Sequence, residues 1–245
     1  MKFFYASGTK GFAGKGYFWH RWFNFPKYPL VTKTFTENDK RGCPICVLPL
    51  LMFDSVWNRY GLENPGFFSS TRILTESYYD QCVISIHGKD SEIEEMVDYL
   101  NKFTCHLYLG IELNYSCPNV KQQHNSFIPK SERLPLYLKL NCDQDPYFFA
   151  SELNRIKGIS LNSVPLKFGA ISGKFAQKKN WGWIEKYRNL MDYVPIAGVS
   201  WTSYEDILRL QDMGCTEFAI GTVIMTNPSL VEALPEIFPN ANVDG

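Results

Sequence analysis

GIELNYSCPNVKQQHNSF, residues 110–127, changes character halfway along. Gly110 to Tyr115 reads as an apolar strand, and from Ser116 onward the chain turns polar, with Cys117 and Pro118 set between Asn114 and Asn119. A strand with little apolar/polar alternation is one covered on both faces. The same short, β-rich pattern recurs in FFYAS (3–7), LVTKT (30–34), CVISIH (82–87), LYLKLN (136–141), GISLNSV (158–164), VPIAGVS (194–200) and EFAIGTV (217–223), which with GIELNYS makes eight strands.

Helical material lies between several of them. KDSEIEEMVDYLNKF (89–103) spaces Ile93, Met96, Val97 and Leu100 at helical period, with its acids early. PYFFASELNRI (146–156) precedes the sixth strand. TSYEDILRLQDMG (202–214) offers Thr202 or Ser203 as a cap, Ile207, Leu208 and Leu210 as an inner face, and Gly214 as a stop. Asn227-Pro228 opens a last helix. Two crossovers look thin: the stretch from Cys117 to Leu136, and Lys174 to Asp192, where only WGWIEKYRNLM is helix-like. Strand–helix alternation repeated eight times predicts a (β/α)8 TIM barrel, as one domain over residues 1–245.

Composition narrows the function. Hydrophobic residues make up 45% of the 245, enough for one large core, and Lys plus Arg equals Asp plus Glu at 25 each. That neutral balance offers no footprint for nucleic acid or an anionic membrane. No apolar run reaches the ~18 residues of a membrane span. Met1-Lys2 leads directly into FFYAS, and the seven cysteines form no repeating framework, so a cytoplasmic setting with free thiols is expected. The C-x-x-C of Cys43 and Cys46 is a lone pair, read as two incidental thiols in a hairpin rather than a metal or redox site.

Barrels of this kind carry their chemistry at the C-terminal ends of the strands. Here those ends read Ala6-Ser7-Gly8-Thr9, Lys33-Thr34, Asn114 through Asn119, Lys139-Leu140-Asn141, Asn162-Ser163, Gly198-Val199-Ser200 and Gly221-Thr222. They are rich in amides, hydroxyls, lysines and glycines; Glu112, inside the fourth strand, is the exception among carboxylates. Amides offer donors and acceptors together, matching a ring with alternating C=O and N–H groups, and glycines let backbone N–H groups reach a phosphate. The His, Asp and Glu cluster of a metal site and the facing carboxylates of a glycosidase are missing. His87 reads as a structural strand end and His124 as a loop residue.

ASGTKGF, VTKT, NRYGLENPG (58–66), SIHGKDSEIEE, ELNYSCPNVK, LKL, LNSV, AISGK and IGT, in this order, resemble the dihydroorotate dehydrogenases, class 1 and nearest the 1B type, over nearly the whole chain. The resemblance implies an FMN enzyme that oxidises dihydroorotate to orotate in pyrimidine biosynthesis. Cys117 would be the base at C5 of the substrate, and Lys33, catalytic too, would lie between flavin and substrate. Asn58, Tyr60, Gly61, Leu62, Asn114, Asn119, Asn162 and Ser163 would hold the substrate. Ala6, Ser7, Gly8, Lys33, Thr34, Lys139, Gly173, Gly198, Gly221 and Thr222 would line the FMN. A homodimer is the implied assembly, and the electron acceptor stays open between fumarate, suiting a self-sufficient enzyme, and NAD, which requires a partner subunit carrying FAD and an iron–sulfur cluster. A flavin barrel acting on another dihydropyrimidine or on dihydrouridine, and a barrel without turnover, are the alternative readings.

Three departures from the family pattern stand out. After the seventh strand only Gly198 remains of a glycine-rich phosphate loop, and Ser200-Trp201 fall about where a glycine pair belongs, so that Trp201 would crowd a close approach. The chain is short after strands four and six. Tyr60 occupies a place where a smaller side chain is expected, narrowing the substrate pocket.

Overall fold

The pairing order of the strands decides the architecture. The computed structural model describes residues 1–10, 16–42, 47–59, 61–70, 82–104, 106–116 and 127–242. In chain order the strands are β1 (Lys2–Tyr5), β2 (Leu30–Val31), β3 (Val47–Leu50), β4 (Ser55–Asn58), β5 (Cys82–Ile86), β6 (Gly110–Asn114), β7 (Leu136–Leu140), β8 (Ile156–Leu161), β9 (Val164–Pro165), β10 (Ala170–Gly173) and β11 (Glu217–Ile220). Seven of them form one sheet in the order β11-β1-β2-β5-β6-β7-β8, every pair parallel.

The segment 194–199 supplies the eighth stave and closes the barrel. Ile159 N donates to Pro195 O and Ala197 N to Ile159 O, each at 2.8 Å, while on the other side Gly198 N donates to Glu217 O at 2.8 Å and Ala219 N to Gly198 O at 2.9 Å. Parallel bridges at Ile159–Ile196 and Gly198–Phe218 fix its register. All eight expected strands are therefore present, and the TIM barrel is the fold.

The core explains why they hold. Ile84, Ile86, Ile111, Leu113, Leu138 and Leu140 are fully buried on one face of their strands and Ser85, Glu112 and Lys139 are buried on the other, as strands covered on both faces require. Each such side chain contributes roughly 1.5–3 kcal/mol by leaving water. Helix α1 (Asp90–Tyr99) buries Ile93, Met96 and Val97, and Glu92 reaches back to accept from Lys89 N at 2.8 Å.

The crossovers differ from expectation in three ways. Pro146–Arg155 is 3-10 rather than α, broken at Phe149; the longer rise per residue lets ten residues span more of the barrel wall. Helix α2 (Lys174–Lys186) starts well before the WGWIEKYRNLM stretch, because Ala176 and Asn180 turn inward with Trp181 and Ile184 despite the polar text. Helix α3 (Tyr204–Asp212), capped by Ser203 accepting from Asp206 N, buries Ile207 and Leu210 but leaves Leu208 exposed. Short α4 (Val223–Thr226) and α5 (Pro228–Ile237) follow, the latter capped by Asn227. Residues 127–135 contain no helix, in keeping with the thin crossover.

A second sheet was not foreseen. Its order is β3-β4-β10-β9, all antiparallel, and it joins an excursion after β2 to one after β8. Its strands are only two to four residues long and include Pro49 and Pro165, which hides them from periodicity.

Candidate active site

The strand ends and the small sheet together enclose a cavity of about 480 Å³. Ala6, Ser7, Gly8, Lys33, Thr34, Asn58, Gly61, Leu62, Asn114, Lys139, Asn162, Ser163, Gly173, Gly221 and Thr222 line it. Gly198 does not: it sits in the barrel wall, where an added Cβ would meet Phe218 and Leu210 at 3.0–3.1 Å. Cys117, Asn119 and Tyr60, together with Cys43, Cys46 and His124, lie outside the described residues. Ser116, immediately before Cys117, is buried at the end of β6 with its Oγ donating to Lys139 O at 2.9 Å.

Register builds the polar floor of the cavity. Ser85 lies opposite Glu112, and Lys139 lies opposite both Asn114 and Ser160. Lys139 Nζ stands 3.5 Å from Glu112 Oε1, with both side chains buried. Ser85 Oγ donates to the same Oε1 at 2.7 Å, and Ser160 Oγ to Oε2 at 3.5 Å.

A carboxylate only accepts, and this orders the hydrogens further out. Ser85 gives its hydrogen to Glu112, so Thr34 Oγ1 is the donor across the 2.8 Å contact to Ser85. Thr34 then accepts from Asn114 Nδ2 at 2.9 Å and from Ser7 Oγ at 3.3 Å. The amide of Asn114 is thereby fixed in orientation, and its Oδ1 accepts from Asn162 Nδ2 and Ser116 N, both at 3.4 Å. Asn162 Oδ1 in turn accepts from Ser163 N at 3.1 Å, and Asn58 Nδ2 donates to Ser163 Oγ at 3.4 Å.

His87, just past β5, contacts Asn114 O through Nδ1 at 2.7 Å. Burial lowers its basicity, so the ring is a neutral Nδ1–H donor that anchors the Asn114 backbone. Its structural reading holds. Lys33 is half-buried and lies 3.7 Å from Glu63.

The far end of the cavity is built differently. Gly173 has φ +80° and an added Cβ would collide with Asp54 O; beside it Thr222 Oγ1 donates to Ser172 Oγ at 2.6 Å. Ser200 also takes the left-handed conformation, φ +62°, which favours glycine. Next to it Trp201 lines the cavity, almost fully buried.

Several contributors escaped the sequence reading. Ser85 and Ser160 sit as lone hydroxyls inside apolar runs, a signal that was available; Ser172, Tyr17, Trp19 and the β3–β4 hairpin come to the cavity only through the second sheet and the segment before β2. Among the described residues no cluster of His, Cys, Asp and Glu could hold a metal ion, and no helix is long and apolar enough to cross a membrane. Cys142 and Cys215 are free thiols, and burial pushes that of Cys215 up to about 12.

Comparison with known proteins gives a consistent picture. The family model described as dihydroorotate dehydrogenase matches residues 2–138. Dihydroorotate dehydrogenase B (NAD(+)), catalytic subunit, of Thermoanaerobacter pseudethanolicus is 34% identical over 266 aligned positions, covering 91% of this chain and 84% of that one. Dihydroorotate dehydrogenase A (fumarate) of Lactobacillus delbrueckii subsp. bulgaricus is 27% identical over 247, covering 86% and 80%. The crystal structure of DHODH from Eimeria tenella in complex with ferulenol superposes with a TM-score of 0.71 at 13% identity, covering 98% of this chain and 82% of that chain, a likeness of fold.

Proposed function

The chain belongs to the dihydroorotate dehydrogenase family, and on that premise we propose that it oxidises dihydroorotate to orotate, with FMN as its cofactor, in de novo pyrimidine biosynthesis. The observation that carries the reading is the hydrogen-bond chain from Glu112 through Ser85 and Thr34 to Asn114, with Lys139 beside it. It presents fixed donors and acceptors at one end of a cavity sized for a flat heterocycle.

The residues present suit FMN. Lys139 offers a donor and Ser7 Oγ an acceptor for a ring edge, while Gly221 leaves the backbone open to a phosphate. Bound FMN supplies the two-electron acceptor for the hydride at C6 of the substrate.

The remaining work falls to the chain's own groups. Asn58, Asn114, Asn162 and Ser163, with Asn119 and Tyr60 from outside the described residues, bind and orient the pyrimidine; Gly61 and Leu62 floor the same region. Cys117 removes the proton at C5; a thiol of ordinary pKa ~8.5 gives up its proton more readily where a cation stands beside it. Lys139 holds positive charge against the cavity, which favours electron-rich states of whatever ring occupies it.

The 34% identity to a protein named as a NAD(+)-type catalytic subunit supports an electron-transfer partner; FAD and an iron–sulfur cluster in that partner, and a homodimeric core, are what the family resemblance implies. Turnover with fumarate alone would overturn that part. The chemistry is tested by the visible spectrum of the FMN-loaded protein before and after anaerobic dihydroorotate. Bleaching is expected. Bound flavin that stays oxidised would redirect the assignment to another dihydropyrimidine, and protein that takes up no flavin would remove the oxidoreductase reading.

A further inference from the structure

Glu112 stands one layer beneath the cavity. It is buried and does not line the cavity itself, whereas the described lining holds two lysines, Lys33 and Lys139, and no carboxylate. Lys33 is answered by Glu63 at 3.7 Å, a carboxylate whose side chain is half exposed, so that solvent and salt screen the pair. Lys139 and Glu112 lack that screening, with side chains 8% and 4% exposed.

The distances show which contact seats the carboxylate. Ser85 Oγ reaches Glu112 Oε1 at 2.7 Å, a full hydrogen bond, while Lys139 Nζ stays at 3.5 Å, beyond the roughly 2.7–2.9 Å of a charge-assisted contact. Ser160 Oγ lies 3.5 Å from the other oxygen, Oε2. Glu112 is therefore held by the serine of β5, and the ammonium leans on it without being clamped. An ammonium carries three N–H donors, and the contact to Glu112 engages one of them. Lys139 thus keeps donors for a ligand in the cavity it lines, while its charge is balanced from below.

This arrangement has an electrical consequence. Reduction adds electron density to a ring, which a neighbouring cation eases and a neighbouring anion opposes. We propose that Glu112 is a positioning residue that sets how much of the Lys139 charge the bound flavin feels, holding the flavin at a lower reduction potential than the lysines alone would give. The inference rests on the FMN reading above and gives a role in it to a residue outside the cavity lining.

The test is the midpoint potential of FMN bound to the full chain, measured against a reference dye, for wild type, Glu112→Gln and Glu112→Asp. Gln keeps the length of the side chain and an oxygen that accepts from Ser85, and it removes the charge. At a fixed solution potential its ratio of reduced to oxidised flavin should exceed that of wild type on the order of tenfold, which is about 30 mV for a two-electron couple. Asp keeps the charge on an arm one methylene shorter, so its potential should fall between the other two. A residue that serves stability alone would lower the unfolding midpoint in both variants and leave the potential where it was. Bound flavin whose potential is unchanged or lower in Glu112→Gln therefore overturns the assignment. Should Glu112→Gln fail to fold with Lys139 stranded, Glu112→Asp retains a buried pair and decides: a potential at or below that of wild type overturns the assignment. A wild type that takes up no FMN removes the flavin reading itself, and the inference with it.

Discussion

Lys139 Nζ and Glu112 Oε1 face each other at 3.5 Å beneath the cavity, and each is the other's counter-charge among buried neutral groups. Removing one partner of a buried pair strands the other, at about 3–5 kcal/mol, whereas replacing both with neutral groups of similar volume costs far less. Lys139→Met and Glu112→Gln should each lower the thermal midpoint by several degrees, and the double variant should recover part of the loss. Strict additivity in a denaturation double-mutant cycle would mean that the two groups do not interact.

Ser200 combines two opposed effects. Its left-handed backbone, φ +62°, costs an L-residue roughly 1–2 kcal/mol relative to glycine. Its Oγ accepts from Asn180, whose own Oδ1 already lacks a partner, and a lost hydrogen bond costs about 1 kcal/mol. Ser200→Ala loses the bond and keeps the strain, so it should destabilise by about 1 kcal/mol. Ser200→Gly loses the bond and relieves the strain, so it should be close to neutral. Equal destabilisation by both in urea unfolding would show that the turn is unstrained.

The barrel was legible because its signal is repetition: short β-rich runs such as CVISIH and LYLKLN recur eight times with helical or loop material between them. The small sheet was not, because VLPL and VP are short and interrupted by proline, and the two strands that join its halves, β4 and β10, lie more than a hundred residues apart. Helix α2 was half hidden for a related reason. Asn180 reads as solvent-facing, yet it is buried to serve Ser200, a demand set by tertiary contact. In the candidate site the same split appears. Asn114, Lys139 and Asn162 could be read from strand ends, but the partnership of Glu112 with Ser85, Ser160 and Lys139 follows from inter-strand register, which no local pattern encodes.

Cys117 follows a serine fixed at the end of β6 by Lys139 O, and its proposed task is to take a proton. General base groups contribute about 10²–10⁴ in rate. Cys117→Ala should slow anaerobic flavin bleaching by that order while leaving the Kd for FMN unchanged. Because the thiolate is the working form, the wild-type rate should rise with pH through the thiol's pKa, and Cys117→Ser should move the rise to higher pH. A Cys117→Ala protein that reduces its flavin at the wild-type rate would exclude the residue as base.

His20 makes a prediction about stability that is independent of catalysis. Its ring is enclosed by Trp19, Phe25 and Tyr17, at 4.0, 5.2 and 5.5 Å between centroids, and neither nitrogen has a partner. Burial, helped by the charge of Lys10, lowers its pKa to about 4. The ordinary imidazole value is near 6.5. Between those values the unfolded chain binds the proton and the fold does not, so stability rises with pH there and is lost as pH falls from about 6.5 toward 4. His20→Phe keeps an aromatic ring of similar size and removes both the titration and the orphaned nitrogens. It should be neutral or slightly stabilising at pH 7.5 and stabilising by on the order of 1 kcal/mol at pH 5, allowing for solvent screening from the second cavity that His20 borders. Urea midpoints at the two pH values measure the difference; a gap between variant and wild type that stays constant would mean that His20 takes up its proton as readily in the fold as in the unfolded chain.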